Sequence, residues 1–105
     1  MLTQAQLDEI KRRITENLNP NKIILFGSYA TGTPTEASDI DLLIVKDSNL
    51  PAHIENRKVR KMLSDLKIPV DVIVKSIKEF EIYKEIIGTI IYSANKFGKV
   101  IYESR

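Results

Sequence analysis

The chain has 105 residues, 43% of them apolar and 29% charged, with a formal net charge of +2. That length bounds the fold to one domain with a modest core, taken as residues 1–105, and so small a charge does not by itself imply nucleic acid as a partner. The absence of cysteine excludes disulfide frameworks and thiolate metal sites; with no membrane-length apolar run and no signal-peptide pattern, the expectation is a cytoplasmic protein with no membrane partner.

Thr3 and Gln6 stand at capping-box spacing. Leu7, Ile10, Ile14 and Leu18 follow at helical intervals up to Asn19-Pro20, where proline disfavours a helical residue before it. Lys22 to Phe26 is short, branched and apolar, a buried first strand. Gly27-Ser28 opens a polar connection, Thr31 to Ser38, that contains Gly32 and Pro34, with room for a brief helical turn at Ser28 to Thr31. A second strand runs from Asp39 or Ile40 to about Lys46. After a loop from Asp47 to Pro51, a helix is expected from about Ala52 to Leu66, with Val59, Met62, Leu63 and Leu66 on one face. Ile68 to Val74 reads as a third strand, with Pro69 at its start, where a missing donor is tolerated. Ser76 and Glu79 repeat the capping-box spacing, and Tyr83, Ile86, Ile87, Ile90, Ile91 and Ala94 continue from it as one long amphipathic helix weakened at Gly88. Asn95 to Gly98 stops that helix, and Lys99 to Tyr102 is a terminal strand. This order predicts an α/β (α+β) fold, a small mixed sheet with helices packed on it. The sheet is mixed because the link between the first two strands is too short for a crossover helix.

The chemistry concentrates between Ile23 and Val45. Asp39 and Asp41 fall on the same side of a strand, about 7 Å apart along the backbone. Two anions on one face ahead of Leu42-Leu43-Ile44-Val45 repel each other; at roughly 4 Å the cost is about 4 kcal/mol at an effective dielectric near 20. A hard divalent cation removes that cost, and Mg²⁺ favours a few carboxylates together with phosphate oxygens and water. Gly27 lets backbone approach a ligand, and the amides after it, with the Ser28 hydroxyl, suit phosphate oxygens. Alone, Gly-Ser reads as a helix cap after a tight turn; its spacing from Asp-x-Asp makes it a nucleotide site. Asp71, a single carboxylate inside Pro69-Val70-Asp71-Val72-Ile73-Val74, is out of place unless it faces the same site. It would then complete the metal coordination or deprotonate an attacking hydroxyl, whereas an edge-strand position facing water is the plainer alternative.

Gly27-Ser28, ten intervening residues and Asp39-Ile40-Asp41 resemble the signature of the DNA polymerase beta-type nucleotidyltransferase superfamily. The fuller string, from Gly27-Ser28-Tyr29-Ala30-Thr31-Gly32 to Ser38-Asp39-Ile40-Asp41-Leu42, is similar to its minimal nucleotidyltransferase (MNT) branch. The resemblance implies the nucleotidyltransferase fold and Mg²⁺-dependent transfer of a nucleoside monophosphate, usually AMP from ATP, to a hydroxyl acceptor. By that likeness Gly27 and Ser28 hold the triphosphate, Ser38 braces the loop before the carboxylates, and Asp39, Asp41 and Asp71 bind two Mg²⁺ ions. It further implies a HEPN-domain toxin as partner, with the MNT protein as antitoxin, in some pairs through AMP attached to a tyrosine of the toxin. Tyr29 and Thr31 depart from the branch, which commonly carries arginine there; Arg57, Lys58, Arg60 or Lys61 are the candidates to supply that charge.

Two alternatives have the same starting point: a binding module that neutralises its partner by occlusion, and the catalytic subunit of a small-molecule nucleotidyltransferase. The nucleotidyl-transfer core accounts for the whole chain, so the expected acceptor is another protein or is held by another subunit. Ile77, Phe80, Ile82 and Tyr92 widen the apolar stripe of the last helix, either as core or as a docking face. The basic cluster reads as a solvated helix face or a cationic rim, and His53 as a surface residue.

Overall fold

Helix α1, Gln4–Leu18, starts where the sequence places its cap: the Thr3 hydroxyl accepts from the Gln6 amide, and the Gln6 side chain accepts from the Thr3 amide. The structure is a computed structural model that describes residues 3–27, 39–47 and 49–104. Asn19 closes α1 in the left-handed region (φ 50°), a conformation asparagine tolerates better than most residues. Strand β1 is Lys22–Phe26 and strand β2 is Ile40–Val45. Helix α2, Ala52–Leu63, tightens into a 3₁₀ turn over Ser64–Leu66, so the expected helix keeps its length but not its pitch. Strand β3 is Val70–Lys75, two residues later than the pattern indicated, because Lys67 turns the chain at φ 58° first.

The single long helix expected after Ser76 is not formed. Two short helices stand in its place, α3 (Ile77–Tyr83) and α4 (Ile90–Phe97). The cause is local. Gly88 adopts φ 96°, which a continuing helix cannot accommodate, and Thr89 caps α4 by accepting from the Tyr92 amide. The Thr89 hydroxyl also donates toward the Tyr83 and Ile86 carbonyls, sealing the break. As a result Ile86 and Ile87, counted as helix-face residues in the sequence, are exposed. Phe80 is buried, Ile77 packs beside it, Tyr92 is half-buried and Ile82 is exposed, so the widened stripe divides between core and surface. Strand β4, Lys99–Glu103, completes the chain.

The sheet order is β3-β2-β1-β4. β1 runs antiparallel to β2 and to β4, whereas β2 and β3 are parallel with α2 between them. This is the mixed α+β sheet the element order predicts. Alternation along the strands divides the apolar side chains between two layers. Ile23, Leu25, Ile40, Leu42, Ile44, Val72 and Val74 face α1 and α2, meeting Ile10, Ile14, Val59 and Leu63. Ile24, Leu43 and Val45 face the other way, onto Phe80, Ile91 and Ala94. Among the described residues no helix is long and apolar enough to cross a membrane.

A charge network ties α1 to the end of α2. Arg13, less exposed than its neighbour Arg12, donates to Glu9, to Asp65 and to the Met62 carbonyl. Hydrogen bonds from Arg12 first and Arg13 second hold the Glu9 carboxyl down to about 2. The stability this gives is complete above the ordinary glutamate value of about 4.3 and is lost as pH falls from there toward 2. In Glu9→Gln the acid limb of the melting curve, followed from pH 5 to 2, is therefore expected to be flatter than in the parent. Identical limbs would show that Glu9 gains nothing from its arginines.

Candidate active site

Three features of the fold bring the acidic residues to one end of one sheet face. The parallel register of β2 and β3 sets Asp41 directly beside Asp71. The antiparallel register of β1 sets Phe26, and hence the bend that follows it, beside Asp41. The Ile40 amide donates to the Pro69 carbonyl at 2.9 Å, fixing the start of β2, and Asp39 immediately before it, against the start of β3. Asp41 and Asp71 share strand parity with Leu43 and Ile73, so both project from the face that carries α3 and α4 farther along. Asp41 is half-buried, while Asp39 and Asp71 are exposed.

The electrostatics match that placement. Burial pushes the Asp41 carboxyl above its ordinary value, and the charges of Asp71 and then Asp39 add to the shift. Gly27 lies against the same group. It adopts φ 77°, and a Cβ built on it would overlap the Asp41 carboxylate, with Cγ only 3.2 Å away. Only a residue without a side chain fits there. Ser28, Ser38, Tyr29, Thr31, Gly32, Pro34 and the turn expected at Ser28 to Thr31 lie outside the described residues.

Among the described residues no three His, Cys, Asp or Glu side chains are already gathered as a metal cage. The donor chemistry of Asp39, Asp41 and Asp71 nevertheless suits a hard divalent cation: all are carboxylates, and the charges of Asp71 and Asp39 help to push the Asp41 carboxyl above its ordinary value, a repulsion that a cation would relieve.

Two α2 residues at the site make contacts that the sequence does not show: Asn56, which it does not single out, and Arg60, one of the four basic residues it offers as a source of charge. Asn56 accepts the outward-facing Val74 amide of β3 at 3.0 Å, satisfying an edge-strand donor. One helical turn on, Arg60 donates from Nη2 to Asp71 Oδ1 at 3.1 Å. Arg57, Lys58 and Lys61, its companions in the basic cluster, are exposed, as is His53. The i, i+4 spacing of Asn56 and Arg60 was the available signal, but it has meaning only once β3 is known to be the neighbouring edge. Glu55, buried at 1% exposure, faces Lys46 at 3.6 Å and Lys58 at 3.9 Å and joins the end of β2 to α2.

Residues 7–96 match the nucleotidyltransferase domain family. The chain belongs to that family. This nucleotidyltransferase domain is 35% identical over 85 residues to a Methanocaldococcus jannaschii protein named as a putative protein adenylyltransferase, covering 79% of this chain and 81% of the relative. Its fold is similar to that in a toxin–antitoxin crystal structure with AMP-PNP (TM-score 0.65, 22% identity, 93% of this chain and 73% of that one). It is also similar to a chain in the complex of tri-AMPylated Shewanella oneidensis HEPN toxin with MNT antitoxin (TM-score 0.60, 20% identity, 98% and 74%). The nucleotidyltransferase domain is thus an enzyme fold whose substrate is a nucleotide.

Proposed function

We propose that this nucleotidyltransferase moves AMP from ATP to a hydroxyl on a partner protein, and that the partner is a HEPN-domain toxin for which this chain is the MNT antitoxin. The observation that carries the reading is the in-register pairing of Asp41 with Asp71 beside the Gly27 bend. The adenylyltransferase name of the Methanocaldococcus relative and the HEPN–MNT complex among its structural neighbours support the choice of acceptor. Residues 1–105 act as one domain, and a cysteine-free chain of this kind suits the cytoplasm.

In this mechanism Asp39 and Asp41 would hold Mg²⁺, with Asp71 completing the set. When bound, the metal supplies charge for the phosphate oxygens and for the leaving pyrophosphate. The acceptor oxygen attacks the α-phosphorus, the bond from that phosphorus to the bridging oxygen breaks, and pyrophosphate departs. The hydroxyl proton passes to an Asp71 oxygen, which the β2–β3 register places beside Asp41. The backbone at Gly27, with Ser28 and Ser38, holds the triphosphate; a bare glycine at φ 77° allows the close approach this needs.

The test is to incubate the co-purified pair with Mg²⁺ and ATP labelled at either the α- or the γ-phosphate. Label is expected to enter the partner from the α position alone. Entry from the γ position would mean phosphoryl transfer, and no entry from either would favour inhibition by occlusion.

A further inference from the structure

The sheet order sets the parts of the site in a row: Asp71 on β3, Asp41 on β2 and the Gly27 bend at the end of β1. In the mechanism above the triphosphate lies toward Gly27 and Asp71 takes the acceptor proton. In-line attack therefore brings the acceptor in from the β3 edge. The residue that stands at that edge is Arg60. We propose that Arg60, with Arg57 beside it on α2, is where the acceptor protein docks, and that the segment they receive carries an acidic side chain close to its acceptor hydroxyl. This rests on the active-site reading above and adds to it the chemistry by which the acceptor is chosen.

Three observations support it. First, the arm is on the attacking side. Arg60 lies on α2, in the layer opposite the carboxylates, and reaches around the β3 edge to set Nη2 3.1 Å from Asp71 Oδ1. A group held by this guanidinium is held beside the carboxylate that takes the proton. Asn56, one turn earlier, ties the same edge to α2 through the Val74 amide, so the platform is firm. Second, the guanidinium has capacity. Among the described residues its hydrogen bond to Asp71 uses Nη2 alone, which leaves the rest of the fork for a second carboxylate. Arg60 and Asp71 are 59% and 54% exposed, so an incoming chain has access to both. Third, the charge continues along the helix. His53, Arg57 and Arg60 follow one another at i, i+4 and i+7 and are all exposed. The nearby acids of this layer are engaged elsewhere: Glu55 is buried and faces Lys46 and Lys58, and Asp65 pairs with Arg13.

Positive charge thus borders the negative cluster on the side from which the acceptor comes. An acidic residue is attracted to the arginines and repelled by Asp39, Asp41 and Asp71, so it stays at the edge while the neutral hydroxyl enters. A basic segment would be drawn past the edge onto the carboxylates themselves. The arrangement therefore sets register as well as affinity.

The test measures initial rates of AMP transfer to the partner of the co-purified pair, separated from the chain and titrated against it with Mg²⁺ and ATP. Arg60→Ala should raise KM for the partner about tenfold, as loss of a charge-assisted contact does. Arg57→Glu, which leaves the Arg60–Asp71 pair in place, should raise it about fivefold. KM for ATP should stay within about twofold of the parent in both, because the triphosphate lies on the other side of Asp41. Arg60→Lys should recover part of the loss, keeping the charge without the planar fork. Added salt should raise the parent's KM for the partner more steeply than that of the Arg57→Glu, Arg60→Ala double variant. Melting curves verify that each variant folds. Unchanged KM for the partner in both single variants overturns the proposal and leaves the active site standing. A rise confined to Arg60→Ala also overturns it, since the arginine would then act only through Asp71. So does a rise in KM for ATP as large as that for the partner. No transfer by the parent would instead overturn the active-site reading, and this proposal with it.

Discussion

Replacing Asp39 and Asp41 together by asparagine is expected to reduce AMP transfer at least about a thousandfold while making the ligand-free protein more stable. The loss follows from removing two of the three groups assigned to the metal and to the charge of the transferring phosphate. The gain follows from the sign of the Asp41 perturbation. Burial, Asp71 and Asp39 all disfavour its ionised form, so the folded protein loses stability relative to the unfolded chain as pH rises through the titration of this group. An uncharged side chain of the same shape avoids that loss. The gain is read as a rise in Tm, and a domain of this size shifts roughly 4–8 °C for each kcal/mol. Melting with and without Mg²⁺ and ATP checks the second half. The variant should melt above the parent without ligand, and the ligands should raise only the parent. A variant that transfers AMP at the parental rate would remove these carboxylates from the mechanism.

Gly27→Ala is expected to impair both folding and activity, and for two separable reasons. At φ 77° an alanine carries the left-handed penalty of about 1–2 kcal/mol wherever it stands. Its Cβ also enters the space of the Asp41 carboxylate, which must move. A displacement near 1 Å at a reacting centre costs about a hundredfold in rate. Combining Gly27→Ala with Asp41→Ala separates the two: the overlap disappears and the backbone strain stays, so the double variant should be more stable than the two single effects add up to. Additivity, or full activity in Gly27→Ala, would mean that the bend and Asp41 do not meet.

Most of the fold was legible because local signals and tertiary packing agree. The Thr3–Gln6 and Ser76–Glu79 capping boxes formed as spaced, and Lys22–Phe26 is the first strand to the residue. The failure after Tyr83 is informative. The isoleucines of that segment keep a helical period, which a lone glycine does not interrupt in the sequence. In the structure Gly88 and the Thr89 cap outweigh periodicity, and among the described residues Ile86 and Ile87 stay exposed. At the site, the sequence could nominate Asp39, Asp41 and Asp71 as residues of unusual type for their strands. It could not supply the parallel register that pairs two of them, nor the reach of Arg60 around a strand edge. Both depend on residues far apart in the chain, and neither leaves a periodic trace.

Asp71 occupies the outermost strand of the sheet, whereas Asp41 sits on an interior one. Outer strands open more readily than inner ones, and here the outer edge is clasped by two side chains of α2, through the Val74 amide and the Asp71 carboxylate. Alignment of the acidic cluster is accordingly a local equilibrium, separable from unfolding of the whole chain. Loosening that clasp at Asn56 would give a molecule that melts nearly as before but spends less of its time with its acids in line.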